Sequence, residues 1–204
     1  IFRLGIGALP FLLPLLLQVG FGMSPFQSGL ITFASAVGAM GMKMAAATVL
    51  KRYGFRTILV INSLVSAVFL AACAAFTQAT PVAVMIALLL IGGFFRSLQF
   101  TSINTIAYAE VENARVGRAT ALVSVGQQLS IAAGVALGAM AVELSVHFRG
   151  DGILQAVDFP PAFLTVAAIS AVSVFIFARL SRDAGAELAD RLPAPPESSD
   201  QRGG

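Results

Sequence analysis

The stretch Ala83–Ile103, AVMIALLLIGGFFRSLQFTSI, is apolar almost throughout, yet it contains an arginine, Arg96. A helix that crosses a lipid bilayer needs about 20 predominantly apolar residues, and this stretch supplies them. A charge near the middle of such a helix is costly, so it marks a functional site by default and requires a partner. The stretch therefore predicts a transmembrane helix with Arg96 facing a central cavity.

The composition of the whole chain indicates a membrane protein with several spans. Of its 204 residues 57% are hydrophobic and 11% are charged, with a mean hydropathy of +0.87. Ordinary soluble domains carry about 25% charged residues. The net charge is +3, but the basic residues form short clusters between apolar runs rather than a continuous stripe, so we expect no nucleic-acid partner.

The apolar runs predict an all-α integral membrane protein with six transmembrane helices. The bundle occupies residues 1–180, and a polar, largely disordered tail follows at 181–204, where prolines and charged residues replace apolar ones. Short connections with glycine or proline separate the runs. The predicted spans are residues 4–21, 26–50, 57–76, 81–108, 119–142 and 161–178.

The distribution of cations predicts the orientation of the spans. The positive-inside rule places loops rich in Lys and Arg in the cytoplasm. Only Arg149, in the predicted loop 143–160, falls on the opposite side. We therefore expect a multi-pass protein of the cell (inner) membrane with both ends of this segment cytoplasmic. The cations on the cytoplasmic side are Arg3, Lys51, Arg52, Arg56, Arg115, Arg118, Arg179 and Arg182.

Polar residues are unevenly distributed among the spans, and this identifies candidate cavity-lining residues. The third and sixth spans are the least polar and best suited to face lipid, which favours two repeats of three helices. Ser97, Thr101 and Asn104 share one helical face. The predicted cavity-lining residues are Gln18 on the first span, Arg96, Gln99, Thr101 and Asn104 on the fourth, and Gln127 and Gln128 on the fifth.

Several of these residues have more than one interpretation. For Arg96, cavity exposure or a specific partner is favoured over a structural role. Gln127 and Gln128 suit helix contacts and cavity lining equally, hydrogen-bonding to a neighbouring helix in the first case. The fifth span also carries small residues at every fourth position, Gly126, Ser130, Gly134 and Gly138, for which helix packing is the favoured interpretation.

The predicted spans contain no Asp or Glu, which limits the chemistry that this chain can perform. A proton-coupling carboxylate, and a counter-ion for Arg96, would have to lie outside this chain. The single histidine, His147, falls in the predicted outer loop, and no Ser–His pair occurs on any span. We therefore predict no catalytic residues, no metal site and no cofactor. The chain begins at Ile1, and we interpret it as part of a longer polypeptide.

Three segments resemble a known family. The loop around Arg52, Gly54 and Arg56 is similar to the cytoplasmic loop motif of the major facilitator superfamily, although Lys51 stands where that motif usually has Asp. The segments Phe95–Thr101 and Ser124–Ser130 resemble those of EmrB/QacA-type fourteen-span drug:proton antiporters. The resemblance covers about residues 1–182 and implies the last six helices, the C-terminal half of the fold.

The resemblance implies a rocker-switch transporter whose cavity is lined by the first, second, fourth and fifth spans. We expect proton-coupled efflux of drugs or other small amphipathic compounds, with the missing N-terminal half, the lipid bilayer and a small-molecule substrate as partners, and a proton as the coupling ion. The alternatives are an uptake or metabolite porter of the same superfamily, a membrane scaffold or sensor, and, least favoured, a membrane-embedded enzyme.

Overall fold

A computed structural model of the chain describes residues 2–109, 116–150 and 152–179, and these form six α-helices. The predicted tail 181–204 and the acidic pair Glu110 and Glu112 lie outside the described residues. The helices are α1 (Phe2–Leu15, continued by a π-helical segment Leu16–Gly20), α2 (Pro25–Tyr53), α3 (Phe55–Cys73), α4 (Val82–Ala109), α5 (Val116–Arg149) and α6 (Phe159–Ala178), with a 3-10 turn at Ala156–Asp158 before α6.

Local sequence signals explain where α2 begins and ends. Ser24 Oγ accepts a hydrogen bond from the Gln27 backbone N–H at 3.2 Å, and the Ser24 N–H donates to Gln27 Oε1 at 3.0 Å, so a capping box starts the helix. Pro25 follows at the first helical position, where a missing N–H costs nothing. The helix ends at Gly54, whose φ of 72° is accessible mainly to glycine.

The end of α5 differs from the prediction. The helix continues to Arg149 rather than ending at Val142, so Glu143 and His147 belong to its last turns and not to a loop. The physical reason is the absence of a helix breaker before Gly150, which takes a φ of 84° and stops the helix. The apolar run alone marks the part of a helix that can lie in lipid, not its full length.

The helices pack in pairs that link the first three to the last three. α2 packs along α4, α1 along α5, and α3 along α6, while α1 also contacts α6 and α3 contacts α4. Exchanging α1, α2 and α3 for α4, α5 and α6 maps these contacts onto one another, although α5 packs on α6 more closely than α2 packs on α3. The pairing therefore agrees with two repeats of three helices.

Glycines allow the closest approaches between these pairs. A Cβ added at Gly38 would overlap the Leu90 carbonyl oxygen, and one at Gly93 would overlap that of Ser35, so α2 and α4 touch through their backbones. A Cβ at Gly134 would likewise overlap the carbonyl oxygen of Leu4, on α1. Helix packing therefore explains this part of the small-residue stripe on α5, whereas a Cβ at Gly126 would meet nothing within 4 Å.

The third and sixth helices each have two different faces. Their inner faces are buried and carry small polar groups, including Ser63 on α3 and Ser170 on α6. The outer face of α3 exposes Ile61, Leu64 and Val68, which suits contact with lipid. α3 and α6 also pack against each other. The core beside them contains Leu12, Leu16, Leu70, Phe159 and Phe163.

Four of the described helical stretches are long and apolar enough to cross a membrane by length and composition: Phe55–Cys73, Val82–Thr105, Thr120–Arg149 and Ala156–Ala178. A shorter apolar stretch lies in α1 and its continuation, at Gly7–Gly20. That α1 and α2 also cross the membrane stays a prediction. Each of them packs along one of the helices that contain these four stretches, α1 along α5 and α2 along α4.

Candidate functional site: a cavity beside Arg96

Arg96 of α4 extends into the bundle toward α2. Its Nη2 donates a hydrogen bond to Ser35 Oγ at 2.8 Å, and the side chain is only partly exposed. The contact becomes short because α2 and α4 approach closely at Gly93, three residues before Arg96 on the same helix. Arg96 thus lies inside the bundle.

A cavity of about 200 Å³ lies beside this arginine, between α1, α2 and α4. Its polar side chains come from α2 and α4, and α1 supplies leucines and prolines. Such a mixture of apolar walls and few polar groups is typical of small-molecule sites. The lining residues are Leu9, Pro10, Leu13, Pro14, Thr32, Ser35, Ala36, Leu89 and Arg96.

The side of the cavity formed by α1 reflects two prolines spaced four residues apart. Pro10 and Pro14 therefore lie on one face of α1, and each removes a backbone donor from the helix. The helix then widens: the Phe21 N–H donates to the Leu16 carbonyl at 2.9 Å, a π-helical bond. Such π segments are rare and frequently occur at functional sites.

The side formed by α2 carries a polar stripe. Ser28, Thr32 and Ser35 follow the spacing i, i+4, i+7, so they share one face. Gln18 Nε2 donates to Ser28 Oγ at 3.4 Å, while Arg96 reaches Ser35 about 10 Å further along the helix. Two predicted site residues, Gln18 and Arg96, therefore contact the same stripe of α2.

Gln99 lies elsewhere, and the prediction that it lines a cavity differs from the structure. Its side chain is fully buried, and its Nε2 donates to Ser63 Oγ at 3.0 Å and to the Leu59 carbonyl at 3.3 Å. Both partners belong to α3. The physical reason is helical geometry: a residue three positions after Arg96 points about 60° away from it, here toward the neighbouring helix.

Thr101 and Asn104 are half-buried and do not belong to the lining of the cavity beside Arg96. Asn104 falls on the face that also carries Gly93, the face by which α4 packs on α2. Thr101 is one turn before Thr105, whose Oγ1 donates to the Thr101 carbonyl at 2.9 Å. The structure thus places Asn104 along the seam between α2 and α4.

The glutamines of α5 are not brought to Arg96. α5 packs along α1 and α6 and barely touches α4, so the predicted cavity-lining residues of the fourth and fifth spans do not lie on neighbouring helices. Gln127 is half-buried and Gln128 is exposed. The sequence predicts which residues share a face of each helix, because helical periodicity is regular. It does not predict which neighbouring helix that face meets.

The loop motif joins α2 to α3 at one end of the bundle. Gly54 alone separates the two helices, and its positive φ explains why the motif has glycine there. Arg56 Nη2 donates to the Ala178 carbonyl at the end of α6, at 2.8 Å. The Arg52 guanidinium lies 5.8 Å from the centre of the Tyr53 ring, within the range of a cation–π contact.

Sequence reasoning missed Ser35 and Thr32, although a signal was present. Neither residue stands out in a helix rich in small side chains. Their spacing with Ser28, however, repeats the one that identified the polar face of the fourth span. A search of every span for polar residues at i, i+4, i+7 would have found this stripe.

A comparison with family models decides what kind of protein holds this cavity. The model of the Major Facilitator Superfamily matches residues 1–201. The chain belongs to the major facilitator superfamily. The resemblance seen in the loop and helix segments is therefore confirmed.

Individual relatives within the superfamily carry the name "Putative multidrug resistance protein MdtD". The one from Klebsiella pneumoniae (strain 342) is 33% identical over 190 residues, which cover 90% of this chain and 39% of the relative. The one from Escherichia coli O6:H1 is 34% identical over 188 residues, which cover 89% of this chain and 39% of the relative. The chain thus spans about two fifths of the length of these relatives. No solved structure matches the chain.

Proposed function

We propose that the protein containing this chain exports small amphipathic compounds from the cytoplasm, driven by proton influx. The observation that carries the proposal is the cavity of about 200 Å³ beside Arg96, set among three helices of a major facilitator superfamily bundle. The multidrug resistance named for the MdtD relatives supports export as the direction.

Alternating access requires a second bundle, and we propose that the remainder of the same polypeptide supplies it. The chain covers 39% of relatives such as the Klebsiella protein, which leaves ample length for another set of helices. The exposed faces of α2 and α5 would meet that bundle. They expose Phe33 and Met40 on α2, and Leu122 and Leu129 on α5. Rocking of one bundle against the other would then open the cavity to each side in turn.

The coupling proton needs a carboxylate that titrates inside the membrane, and we assign it to the other bundle. Residues 1–109 contain no Asp or Glu. In the described residues, Asp158 is held by Arg149 at 2.6 Å and Glu143 is exposed near the end of α5. Neither of these two described carboxylates lies near Arg96, so we assign the cavity to the described helices and the proton site to the other bundle.

We propose that the loop joining α2 and α3 lies in the cytoplasm of a cell with this protein in its inner membrane. The bond from Arg56 to the Ala178 carbonyl supports a common side for this loop and the end of α6. Arg52, Arg56 and Arg179 gather there, as the positive-inside rule requires.

The test expresses the full-length protein in a bacterial strain that lacks its main efflux pumps and measures the accumulation of the amphipathic dye fluorescein. We expect lower accumulation than with an empty vector, higher drug tolerance, and loss of both effects when a protonophore collapses the proton gradient. Arg96→Gln should abolish or narrow the effect, whereas Lys43→Gln, which removes an exposed cation of α2, should not. Higher accumulation than in the empty-vector strain would instead indicate an uptake porter.

A further inference from the structure

The charges of the bundle are unbalanced around Arg96. Residues 1–109 contain basic residues but no Asp or Glu. In the described part of the chain, the two carboxylates are those of Glu143 and Asp158, both at the opposite end of α5 from the loop that joins α4 to α5. Asp158 is already paired with Arg149. Arg96 thus faces no carboxylate among the described residues.

Most of the hydrogen-bonding capacity of Arg96 is unused. A guanidinium has five N–H donors and no acceptor. Within the described residues, the bond from Nη2 to Ser35 Oγ is the hydrogen bond that Arg96 makes. Ser35 Oγ accepts that bond, so its own O–H remains able to donate. Arg96 and Ser35 therefore offer several hydrogen-bond donors to the cavity.

The space beside these donors is large enough for a ligand group. The cavity measures about 200 Å³, whereas a single water needs only about 10–15 Å³ measured in the same way. Leu9, Leu13 and Leu89 provide apolar walls next to the guanidinium. The cavity thus offers a cation to a charged group and apolar walls to an apolar body.

We propose that Arg96 and Ser35 bind the negatively charged group, a carboxylate or sulfonate, of an amphipathic substrate. The planar guanidinium presents paired N–H donors that match an anionic oxygen pair, and burial strengthens the attraction. The same unpaired charge repels a cationic amphiphile. This inference rests on the proposed export function, because it names the chemical class of the exported compound.

A carboxylate from the other bundle is the competing partner for Arg96. Such a side chain would have to enter the cavity between α1, α2 and α4, and it would then fill the space beside the guanidinium. The substrate anion accounts for both observations together, the unpaired charge and the empty volume.

The test uses two fluorescent dyes that share a xanthene ring system but differ in charge, anionic fluorescein and cationic rhodamine 123. Binding of each dye to the purified full-length protein in detergent is measured by fluorescence polarisation. We expect Arg96→Gln to weaken fluorescein binding at least about tenfold. The affinity of Arg96→Lys for fluorescein should lie between those of the wild type and Arg96→Gln. The charge remains in this variant, but the paired N–H donors of the guanidinium are lost. Rhodamine 123 binding should not weaken.

Two controls separate the anion site from general damage. Lys43→Gln removes a cation outside the cavity and should leave fluorescein binding unchanged, and the thermal unfolding of every variant shows whether it is folded. Fluorescein binding that survives in Arg96→Gln, a wild type that binds no fluorescein, or equal losses for both dyes would each overturn the proposal. Equal losses would point to a carboxylate partner from the other bundle.

Export assays in cells separate this inference from the proposed function. If the wild-type protein exports neither dye but fluorescein binding still depends on Arg96, the anion site stands and the export function fails. If the protein exports rhodamine 123 and binds no fluorescein, export stands and the anion site fails.

Discussion

Arg96 Nη2 lies 2.8 Å from Ser35 Oγ, and this hydrogen bond joins α4 to α2 at the wall of the cavity. The two side chains come within hydrogen-bond distance because the two helices pack closely. Gly93 and Gly38 have no side chains that would keep the backbones apart. The contact fixes the direction of a charge that has no carboxylate partner among the described residues. We therefore predict that Ser35 positions the Arg96 guanidinium, in addition to donating its O–H to the anion.

Replacing Ser35 tests this positioning role. We expect Ser35→Ala to leave the fold intact, because the change removes one small atom, and to lower dye export several-fold. A hydrogen bond to a charged group contributes about 1.5–3 kcal/mol. Once Arg96 is already Gln, the same substitution should have a smaller effect on dye export, which a double-mutant cycle measures. Ser102→Ala is the matched control, since Ser102 is buried but its Oγ donates to the Leu98 carbonyl. Additive losses would argue against the positioning role.

The glycine contacts predict which small residues the fold requires. Gly38→Ala and Gly134→Ala place a Cβ onto a backbone carbonyl oxygen of the facing helix, which cannot move aside as a side chain could. We expect each to destabilise the protein by about 1–3 kcal/mol, the usual cost of overpacking. The measurement is the thermal unfolding of the full-length protein in detergent.

Gly126→Ala is the control on the same stripe of α5. A Cβ there meets nothing within 4 Å in this bundle, and alanine favours helix more than glycine does. An unchanged or slightly higher Tm is expected. If Gly126→Ala destabilised the protein as strongly as Gly134→Ala, another part of the polypeptide would have to pack on that face.

From the sequence, Arg96 is predicted to be the centre of a site, because a charge inside an apolar run is costly and by default marks a functional position. Bilayer length and turn residues constrain where each span can begin and end. The neighbours of each helix could not be predicted, because periodicity gives a face without saying what the face meets. Gln99 shows this: one turn from Arg96 on the same helix, it contacts α3 rather than the cavity.

Ser35 and the end of α5 illustrate two further limits. A serine in a small-residue helix carries no signal of its own, and its role became visible only when α4 was placed beside it. For α5, hydropathy marks where lipid contact ends, whereas the helix continues through polar residues to Gly150. The residue types that form the site are thus visible in the sequence. Which of these residues lie together depends on how the helices pair.

The position of Gln99 predicts a structural rather than a substrate-dependent effect. Its amide bridges α4 to α3 while its Oε1 has no hydrogen-bond partner among the described residues. We expect Gln99→Leu to lower the free energy of unfolding by no more than about 1.5 kcal/mol. The substitution removes the hydrogen bonds of the amide, but it also removes the buried Oε1 that has no partner. The set of exported dyes should not change. A changed dye preference at an unchanged Tm would return Gln99 to the cavity lining, and Gln128→Leu, at an exposed position, serves as the control.

The end of the bundle at which α5 is followed by α6 holds a buried carboxylate whose partners make a sharper prediction. Asp158 is fully buried and accepts hydrogen bonds from Arg149 Nη2 at 2.6 Å, from Arg149 Nε at 3.1 Å and from the Gln155 N–H at 2.8 Å. This pair ties the end of α5 to the start of α6. Removing one partner of a buried ion pair typically costs about 3–5 kcal/mol, because the other charge remains without compensation.

The cost should differ between the two partners. Arg149→Gln leaves the buried Asp158 carboxylate without its cation, whereas Asp158→Asn leaves a partly exposed arginine and an amide oxygen that can still accept from the Gln155 N–H. We therefore expect Arg149→Gln to lower the Tm more than Asp158→Asn, and the double variant to recover part of the loss. Glu143→Gln, an exposed acid on the same helix, should change the free energy of unfolding by no more than about 0.5 kcal/mol. Equal losses for both single variants, with no recovery in the double variant, would show that hydrogen-bond geometry and not the buried charge determines the stability of this junction.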